Sequence, residues 1–165
     1  MKRLILMRHA KSDWDDPLLP DHDRPLADRG RRGAELVGGW LREEGYLPDL
    51  ALVSTSTRTR ETWALASASL PPCPARFEPT LYHAAPPVLL ARLREAEGDC
   101  ALLLAHQPGI GAFAERLLSR PFCDPDFARY PTAAVAVIDF DADSWAAVAT
   151  GAGRLADFTT PRRLG

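Results

Sequence analysis

Three short apolar runs constrain the fold of this 165-residue chain more than any other feature. They occupy residues 4–7, 50–53 and 100–105. Runs of this length without polar alternation are typical of strands buried on both faces, because a half-exposed strand would alternate polar and apolar residues. Each run is followed at once by polar residues. We therefore expect a core built around a mainly parallel sheet.

The segments between these runs predict helices. An apolar stripe in residues 36–41 predicts a helix that starts near Asp28 and stops at Gly45. Residues 133–140 and 145–150 are expected to form a final hairpin. Strands that alternate with helices predict an α/β fold, a three-layer sandwich with helices on both faces of the sheet. Further helices are predicted for residues 58–68, 87–97 and 110–118, and a short strand for residues 76–78.

The charge balance argues against two classes of partner. Twenty Lys and Arg residues stand against 22 Asp and Glu residues, which gives a formal net charge of -2. A chain with this balance has no general attraction for nucleic acid or for an anionic membrane, so neither is expected as a partner. Any anion that the protein binds must therefore be held by a local basic site.

The cysteines and the N-terminal residues bear on the compartment. Cys73, Cys100 and Cys123 are an odd number without a C-x-x-C pair, so they predict neither a disulfide framework nor a zinc site. The apolar run at residues 4–7 is too short for a signal peptide or a membrane span. We therefore expect a cytoplasmic protein without a metal site.

Basic side chains follow all three apolar runs. Arg8 and His9 come directly after the first run, Arg58 comes shortly after the second, and His106 comes directly after the third. In open α/β sheets ligands bind at the carboxyl ends of the strands, so these four side chains are expected in one crevice. Arginine forks match phosphate oxygens, and helices that begin nearby add N-terminal amides. The pattern predicts a phosphoryl site, which a phosphate or sulfate ion is also expected to fit.

Other phosphate chemistries find little support in the sequence. The chain has neither a G-x-x-x-x-G-K-[ST] loop nor a G-x-G-x-x-G turn, and no cysteine precedes a basic anion loop. An acidic loop with several prolines follows the first strand; its carboxylates could form a magnesium site, but we expect them to form a solvated surface. A histidine nucleophile remains. The acidic residues of this loop are Asp13, Asp15, Asp16, Asp21 and Asp23.

Three segments resemble, in order along the chain, the motifs of the histidine phosphatase superfamily. Residues 6–10, LMRHA, are similar to its R-H-G signature, with alanine in place of the usual glycine. Residues 54–62, STSTRTRET, resemble the second motif, which carries a second phosphate-binding arginine; Thr55 stands where many members have proline. Residues 105–109, AHQPG, resemble the third motif, which supplies the second histidine.

Three further segments resemble the small SixA-type phosphohistidine phosphatases of this superfamily. The likeness extends over nearly the whole chain. It implies a phosphoglycerate mutase-like fold and a single domain over residues 1–165 without a large cap insertion. The segments are residues 8–14, RHAKSDW, residues 21–26, DHDRPL, and residues 81–84, LYHA.

The resemblance implies a two-step transfer through a phosphohistidine enzyme intermediate, without a cofactor. His9 must then be neutral, and its second ring nitrogen should donate to a fixed acceptor, expected to be a backbone carbonyl of the following loop. Arg8, Arg58 and His106 would surround the phosphoryl oxygens and stabilise their charge. A protonated His106 would help most, and a phosphate dianion raises the pKa of that imidazole.

The proton donor bears on the choice of substrate. Larger members carry a glutamate that protonates the leaving oxygen, and the nearest candidate here is Glu78, whose equivalence to that acid is left open. A hydroxyl leaving group, with a pKa near ~15, needs such a donor. An imidazole, whose conjugate acid has a pKa of about 6.5, leaves without one. We therefore expect a phosphatase that acts on phosphohistidine in a protein; a small-molecule phosphomonoesterase and a catalytically silent binding module are the alternatives.

Other residues near these motifs are secondary candidates. Lys11 and Ser12 follow the nucleophile closely enough to line the substrate pocket. His83 is expected either to line the site and touch substrate or to pack under a loop. His22 is expected to be solvated or to cap a turn, and Arg24 is expected to pair with a neighbouring aspartate.

Overall fold

The computed structural model describes residues 1–165 and contains one six-stranded sheet with helices on both faces. The strands are β1 (Lys2–Arg8), β2 (Leu50–Ser54), β3 (Ala75–Glu78), β4 (Cys100–Ala105), β5 (Val135–Phe140) and β6 (Arg154–Thr159). The helices are α1 (Asp28–Glu43), α2 (Thr57–Ser67), α3 (Pro86–Leu93), α4 (Gly109–Leu117), α5 (Pro125–Arg129) and α6 (Pro161–Leu164). None of these helices has the length and apolar character that crossing a bilayer requires.

The strand order is β3-β2-β4-β1-β5-β6, and the first four of these strands are parallel. β5 and β6 complete the sheet as antiparallel strands. Met7 of β1 pairs with Leu104 of β4, which in turn pairs with Val53 of β2. The three central strands therefore end at the same level, and the residues that follow them meet at one edge of the sheet. The mainly parallel α/β fold predicted from the apolar runs is confirmed.

The core lies on both faces of the sheet because successive strand residues point to opposite sides. Leu4 and Leu6 of β1 belong to a cluster of 25 buried residues that also contains the apolar faces of α3 and α4. Ile5 and Met7 belong to a second cluster of 16 buried residues, which contains the apolar faces of α1 and α2. This double burial explains why the strand runs are continuous rather than alternating.

The predicted final hairpin is only half correct. Its first strand corresponds to β5, but residues 145–150 are not a strand, and the partner strand is β6, further along the chain. Residues 145–147 form a 3₁₀ turn whose Trp145 is 3% exposed. Its indole Nε1 donates to the carbonyl oxygen of Gly98 (2.7 Å). Burying this large ring and pairing its N–H outweighs the strand pattern of the segment.

One helix boundary and two short helices differ from the sequence-based expectations. The helix predicted for residues 87–97 ends at Leu93. The short helices α5 and α6 have no predicted counterpart, because segments of four or five residues are too short to show a helical period. Each starts with proline, whose fixed φ suits the first position of a helix.

Tyr130 forms hydrogen bonds to two neighbouring strands, β1 and β5, and to Arg8 at the carboxyl end of β1. Its hydroxyl donates to the carbonyl oxygen of Leu6 in β1 and accepts from the amide of Ala136 in β5 (3.1 Å). Its own carbonyl oxygen accepts from Nη1 of Arg8 (3.1 Å). The residue has no exposed surface and a φ of 47°, so the surrounding structure holds it in a left-handed conformation that a non-glycine residue seldom adopts.

We predict that Tyr130→Phe lowers the free energy of unfolding by about 0.5–1.5 kcal/mol, because it removes the buried hydrogen bonds that the hydroxyl forms with the Leu6 carbonyl and the Ala136 amide. Urea unfolding followed by circular dichroism measures the change. Tyr46→Phe is the matched control, since the Tyr46 hydroxyl donates to Asp157 Oδ2 (2.8 Å) in a less buried position. Equal losses in the two variants would contradict the assigned role of the Tyr130 hydroxyl.

Candidate active site

All four histidines of the chain lie at the edge where β1, β4 and β2 end. The ring centroids of His9 and His106 are 5.3 Å apart, and those of His83 and His106 are 4.9 Å apart. The Tyr82 ring lies 5.3 Å from His106 and 4.8 Å from His22, and it joins the fourth histidine to the group. The imidazoles therefore cluster at the carboxyl ends of parallel strands, where ligands bind in this class of sheet.

His9 follows the last residue of β1 and is 6% exposed. Its Nδ1 lies 2.7 Å from the carbonyl oxygen of Ala10. A carbonyl oxygen can only accept, so Nδ1 carries the proton and Nε2 is left with a free electron pair. The acceptor is a backbone carbonyl of the loop after His9, as expected from the sequence.

Several neighbouring segments hold the backbone around His9. The His9 amide donates to the Ala105 carbonyl (3.2 Å), and the His9 carbonyl accepts from the Ala133 amide (2.9 Å). The next amide, that of Ala10, donates to Oγ1 of Thr62 in α2 (3.0 Å). On the α1 side, a Cβ at Gly30 would lie 2.0 Å from the carbonyl oxygen of Lys11. Only glycine allows this close approach, which holds the loop after His9 against the helix.

Arg58 lies in the first turn of α2 and is 2% exposed. Ser56 directly precedes helix α2 and caps it, because its side chain accepts from the Thr59 amide. Nη1 of Arg58 donates to the carbonyl oxygen of Asp21 (2.7 Å), and Nη2 donates to Oδ2 of the same residue (3.0 Å). Its Nε is buried and has no partner. The guanidinium therefore keeps a buried donor that the protein does not satisfy.

His106 follows β4 and lies between the other two strand ends. Nη2 of Arg58 approaches Nδ1 of His106 (3.4 Å), and the Nε2 of His106 lies 2.8 Å from Oγ of Ser54. A guanidinium only donates, so Nδ1 is the acceptor and Nε2 carries the proton. Behind this residue, a Cβ at Gly109 would lie 1.9 Å from the Ala84 carbonyl, so glycine lets α4 start against the segment that carries Tyr82 and His83.

Burial keeps both imidazoles neutral. It lowers the pKa of His9 to about 3, an effect that the bond to the Ala10 carbonyl opposes and the positive charges of Arg58 and Arg8 increase. It also lowers the pKa of His106 to about 2, with His9 and Arg58 adding to the effect. His106 is therefore neutral in the free protein, and a protonated form needs the negative charge of a bound phosphoryl group.

Arg8 completes the basic group. Besides the bond from Nη1 to the Tyr130 carbonyl, its Nε is buried without a partner, as in Arg58. Burial and the neighbouring charge of Arg58 lower the pKa of Arg8. A half-buried and a buried guanidinium group, which repel each other and each keep a buried Nε without a partner, form a site of unbalanced positive charge. Such a site can bind a phosphate or another oxyanion.

Asp21 is the one strong acidic partner in the cluster, and the sequence did not identify it as a site residue. Its Oδ2 accepts from Arg58, from the Tyr82 hydroxyl and from Nε2 of His83 (3.0 Å), while Arg24 Nε donates to Oδ1 (3.1 Å). Partial burial opposes its ionisation, but these donors outweigh burial and hold the pKa of the carboxyl far below its usual value. The carboxylate is therefore a permanent anion beside the buried arginines.

The solvated surface expected for the acidic loop therefore does not describe Asp21, whose carboxylate points inward although 43% of its side chain is exposed. Asp21 lies in DHDRPL and Tyr82 in LYHA, two segments that already resembled SixA-type proteins. Those segments were the available signal. Sequence spacing alone gives no sign that two segments 61 residues apart are in contact.

The secondary candidates take different positions. Ser12 Oγ accepts from Nη1 of Arg24 (2.8 Å), so it supports the arginine that pairs with Asp21, as expected for Arg24. Lys11 is exposed and lines a cavity that none of the four histidines lines, and its predicted role in the substrate pocket stays a prediction. Glu78 ends β3, an edge strand, where it pairs in register with Ser54.

His22 and His83 form the rim of the cluster. His22 Nε2 lies 3.0 Å from Oγ1 of Thr55, the residue that stands where many superfamily members have proline. His83 has a φ of 52°, in the left-handed region, and its side chain is 48% exposed. Strained residues of this kind collect at functional sites, where the surrounding structure maintains them. No group of three or more His, Cys, Asp or Glu side chains is arranged to hold a metal ion.

Known sequences match the chain from the first strand onward. The model of the histidine phosphatase superfamily (branch 1) matches residues 4–84. An uncharacterized protein of Mycobacterium tuberculosis is 39% identical over 163 residues, which span 94% of this chain and all of the relative. An uncharacterized protein of Mycobacterium leprae is 32% identical over 165 residues and is also matched over its full length.

Solved structures agree in fold over almost the whole chain. The provisionally assigned phosphohistidine phosphatase SixA of Nakamurella multipartitia superposes with a TM-score of 0.82 and 30% identity, over 97% of this chain and 96% of the other. The provisionally assigned SixA of Agrobacterium tumefaciens gives a TM-score of 0.80 and 27% identity, over 97% and 98%. The chain thus belongs to the histidine phosphatase superfamily, in its SixA-type branch.

Proposed function

We propose that His9 is the nucleophile of a protein phosphohistidine phosphatase. The observation that carries this proposal is the bond from Nδ1 of His9 to the Ala10 carbonyl, which leaves Nε2 unprotonated. Membership of the superfamily supports phosphatase activity; the catalytic residues and the phosphohistidine substrate are our proposal. A neutral imidazole with a fixed tautomer needs no proton transfer before it attacks phosphorus.

The reaction has two steps, transfer of the phosphoryl group to His9 and its hydrolysis. The free electron pair of His9 Nε2 attacks phosphorus, and the bond from phosphorus to the substrate nitrogen breaks with its electron pair on the departing imidazole. A water oxygen then attacks the phosphoryl group on His9, the P–N bond breaks with its pair on Nε2, and the water proton is released with inorganic phosphate. In both steps Arg8 and Arg58 stabilise the negative charge of the phosphoryl oxygens. Their unpaired Nε groups can donate hydrogen bonds to these oxygens.

The leaving group favours a P–N bond. An imidazole that is protonated on its other nitrogen leaves as a neutral molecule, whereas an alkoxide needs a proton from an acid. The permanent anion at Asp21 supports the same choice, because it repels substrates that carry further negative charge beside the phosphoryl group. His83 lies on the exposed rim next to Asp21, where it can contact the departing side chain.

Protein substrates also fit the organisation of the chain that we propose, a single domain without a cap over the site. A solved SixA is known in complex with tungstate, a phosphate analogue, and shares the fold of this chain at 22% identity and a TM-score of 0.78.

The three cysteines are free thiols, which suits a reducing compartment and supports a cytoplasmic location.

We predict that His9→Ala reduces turnover by on the order of 10³-fold or more while the chain remains folded, because the nucleophile is lost. Phosphate release from a phosphohistidine peptide measures the activity, and circular dichroism checks the fold. Wild-type protein quenched in alkali should also gain the mass of one phosphoryl group on the peptide that contains His9. Unchanged phosphate release in His9→Ala would rule out the mechanism.

The substrate class is tested by leaving-group chemistry. We predict that kcat/KM for a phosphohistidine peptide exceeds that for glycerol phosphate by roughly 100-fold or more, about 2.7 kcal/mol in barrier height. Para-nitrophenyl phosphate, whose leaving group is a weak base, should fall between them. If glycerol phosphate is hydrolysed as well as the peptide, the protein is a phosphomonoesterase, and the phosphohistidine assignment is wrong.

Because burial lowers the pKa of His9 and His106, we predict that the protein loses stability in mild acid. Between pH 6.5 and about pH 3 an unfolded His9 or His106 binds a proton that the buried side chain does not, so the free energy of unfolding falls as the pH falls. Each histidine should contribute about 1.4 kcal/mol per pH unit in that window. Urea titrations at about pH 7 and about pH 5.5 measure the loss, and His106→Gln should reduce it. An identical pH dependence in wild type and variant would show that His106 is not held neutral.

A further inference from the structure

A second cavity, of about 450 Å³, opens between the first half of α1, the loop before β5, and α6. None of His9, Arg58 or His106 lines it. Its lining is rich in basic side chains and contains a single acidic one. The basic residues are Lys11, Arg29, Arg32, Arg129 and Arg162, and the acidic residue is Asp126.

The charge of this cavity is not balanced within the protein. Nη2 of Arg129 pairs with Asp126 (2.6 Å), and Asp126 also accepts from Arg163 outside the cavity (3.0 Å). The other four basic side chains form no ion pair, although the chain as a whole carries a formal charge of -2. All four are solvent-exposed, so water and salt weaken their mutual repulsion, and a bound anion removes the repulsion that remains. The four unpaired residues are Lys11, Arg29, Arg32 and Arg162.

We propose that this cavity binds a small anion that carries two or more phosphate or carboxylate groups. A volume of about 450 Å³ lies in the range of small-molecule sites, roughly 300–1,000 Å³. Arginine forks bind either oxyanion in a bidentate manner, and several of them around one cavity fit several anionic groups on one ligand. Leu36 and Pro161 supply apolar wall for the carbon part of an organic ligand.

The cavity adjoins the segments that hold the nucleophile loop. Ala10 and Lys11 line it on one side, directly after His9 in the chain. Ala133 lines it on another side, and its amide donates to the His9 carbonyl (2.9 Å). An anion in the cavity therefore contacts both segments that hold the backbone of His9, while the phosphoryl site stays free.

Calorimetric titration of the full chain with pyrophosphate, at about 0.15 M salt, tests the proposal. We expect Arg32→Ala/Arg162→Ala to raise the Kd of one pyrophosphate at least tenfold or to abolish its binding. Arg42→Ala/Arg116→Ala removes the same charge from exposed positions outside the cavity and should bind as wild type does. Parallel titrations with citrate show whether the site takes carboxylates as well as phosphates.

Two results would overturn the proposal. One is wild-type affinity and stoichiometry for pyrophosphate in Arg32→Ala/Arg162→Ala, and the other is an equal loss in the control variant, which would reflect net charge alone. Pyrophosphate inhibition of phosphate release reports on the phosphoryl site, and we expect its inhibition constant to be the same in the cavity variant and the wild type. The titration needs no turnover, so a failure of the proposed function does not affect it.

Discussion

The common level at which β1, β4 and β2 end is the constraint on which the rest of the molecule depends. It follows from the register that joins Met7, Leu104 and Val53 across the three strands. A slip of one residue would turn every side chain of a strand toward the cluster on the opposite face, which is packed by different residues, so close packing on the two faces fixes this register. Because the strands end together, His9 and His106 come next to each other although 97 residues separate them in the chain.

Burial of the site affects its histidine and arginine side chains in opposite ways. The histidines respond by giving up a proton, and they remain neutral well below the usual histidine pKa. Arginine cannot respond in this way, since its guanidinium keeps its charge in proteins. Arg8 and Arg58 must therefore be compensated by anions, and Asp21 supplies one on the side of Arg58. A phosphoryl group can add its negative charge at the remaining unpaired donors, so the same burial accounts for a neutral His9 and for a positively charged site that fits an oxyanion.

The sequence predicted most of the elements that are long or fully buried. The three apolar runs became β1, β2 and β4, and the periodic segments became α1, α2 and α4 with boundaries within a few residues. The final strand was misplaced because Trp145 reads equally well as a strand residue or as a core residue at the end of a turn. Its indole reaches the Gly98 carbonyl, a contact between distant segments that a local pattern cannot reveal.

The sequence by itself determined the α/β class, the order of the longer elements, and the three motifs that contain Arg8 and His9, Arg58, and His106. These follow from local hydrophobic runs and from residue types at strand ends. Only the tertiary structure decided that Asp21 engages Arg58 and that Lys11 lines a different cavity. Both depend on how loops fold over a sheet edge, and loop paths are set by long-range contacts rather than by residue periodicity.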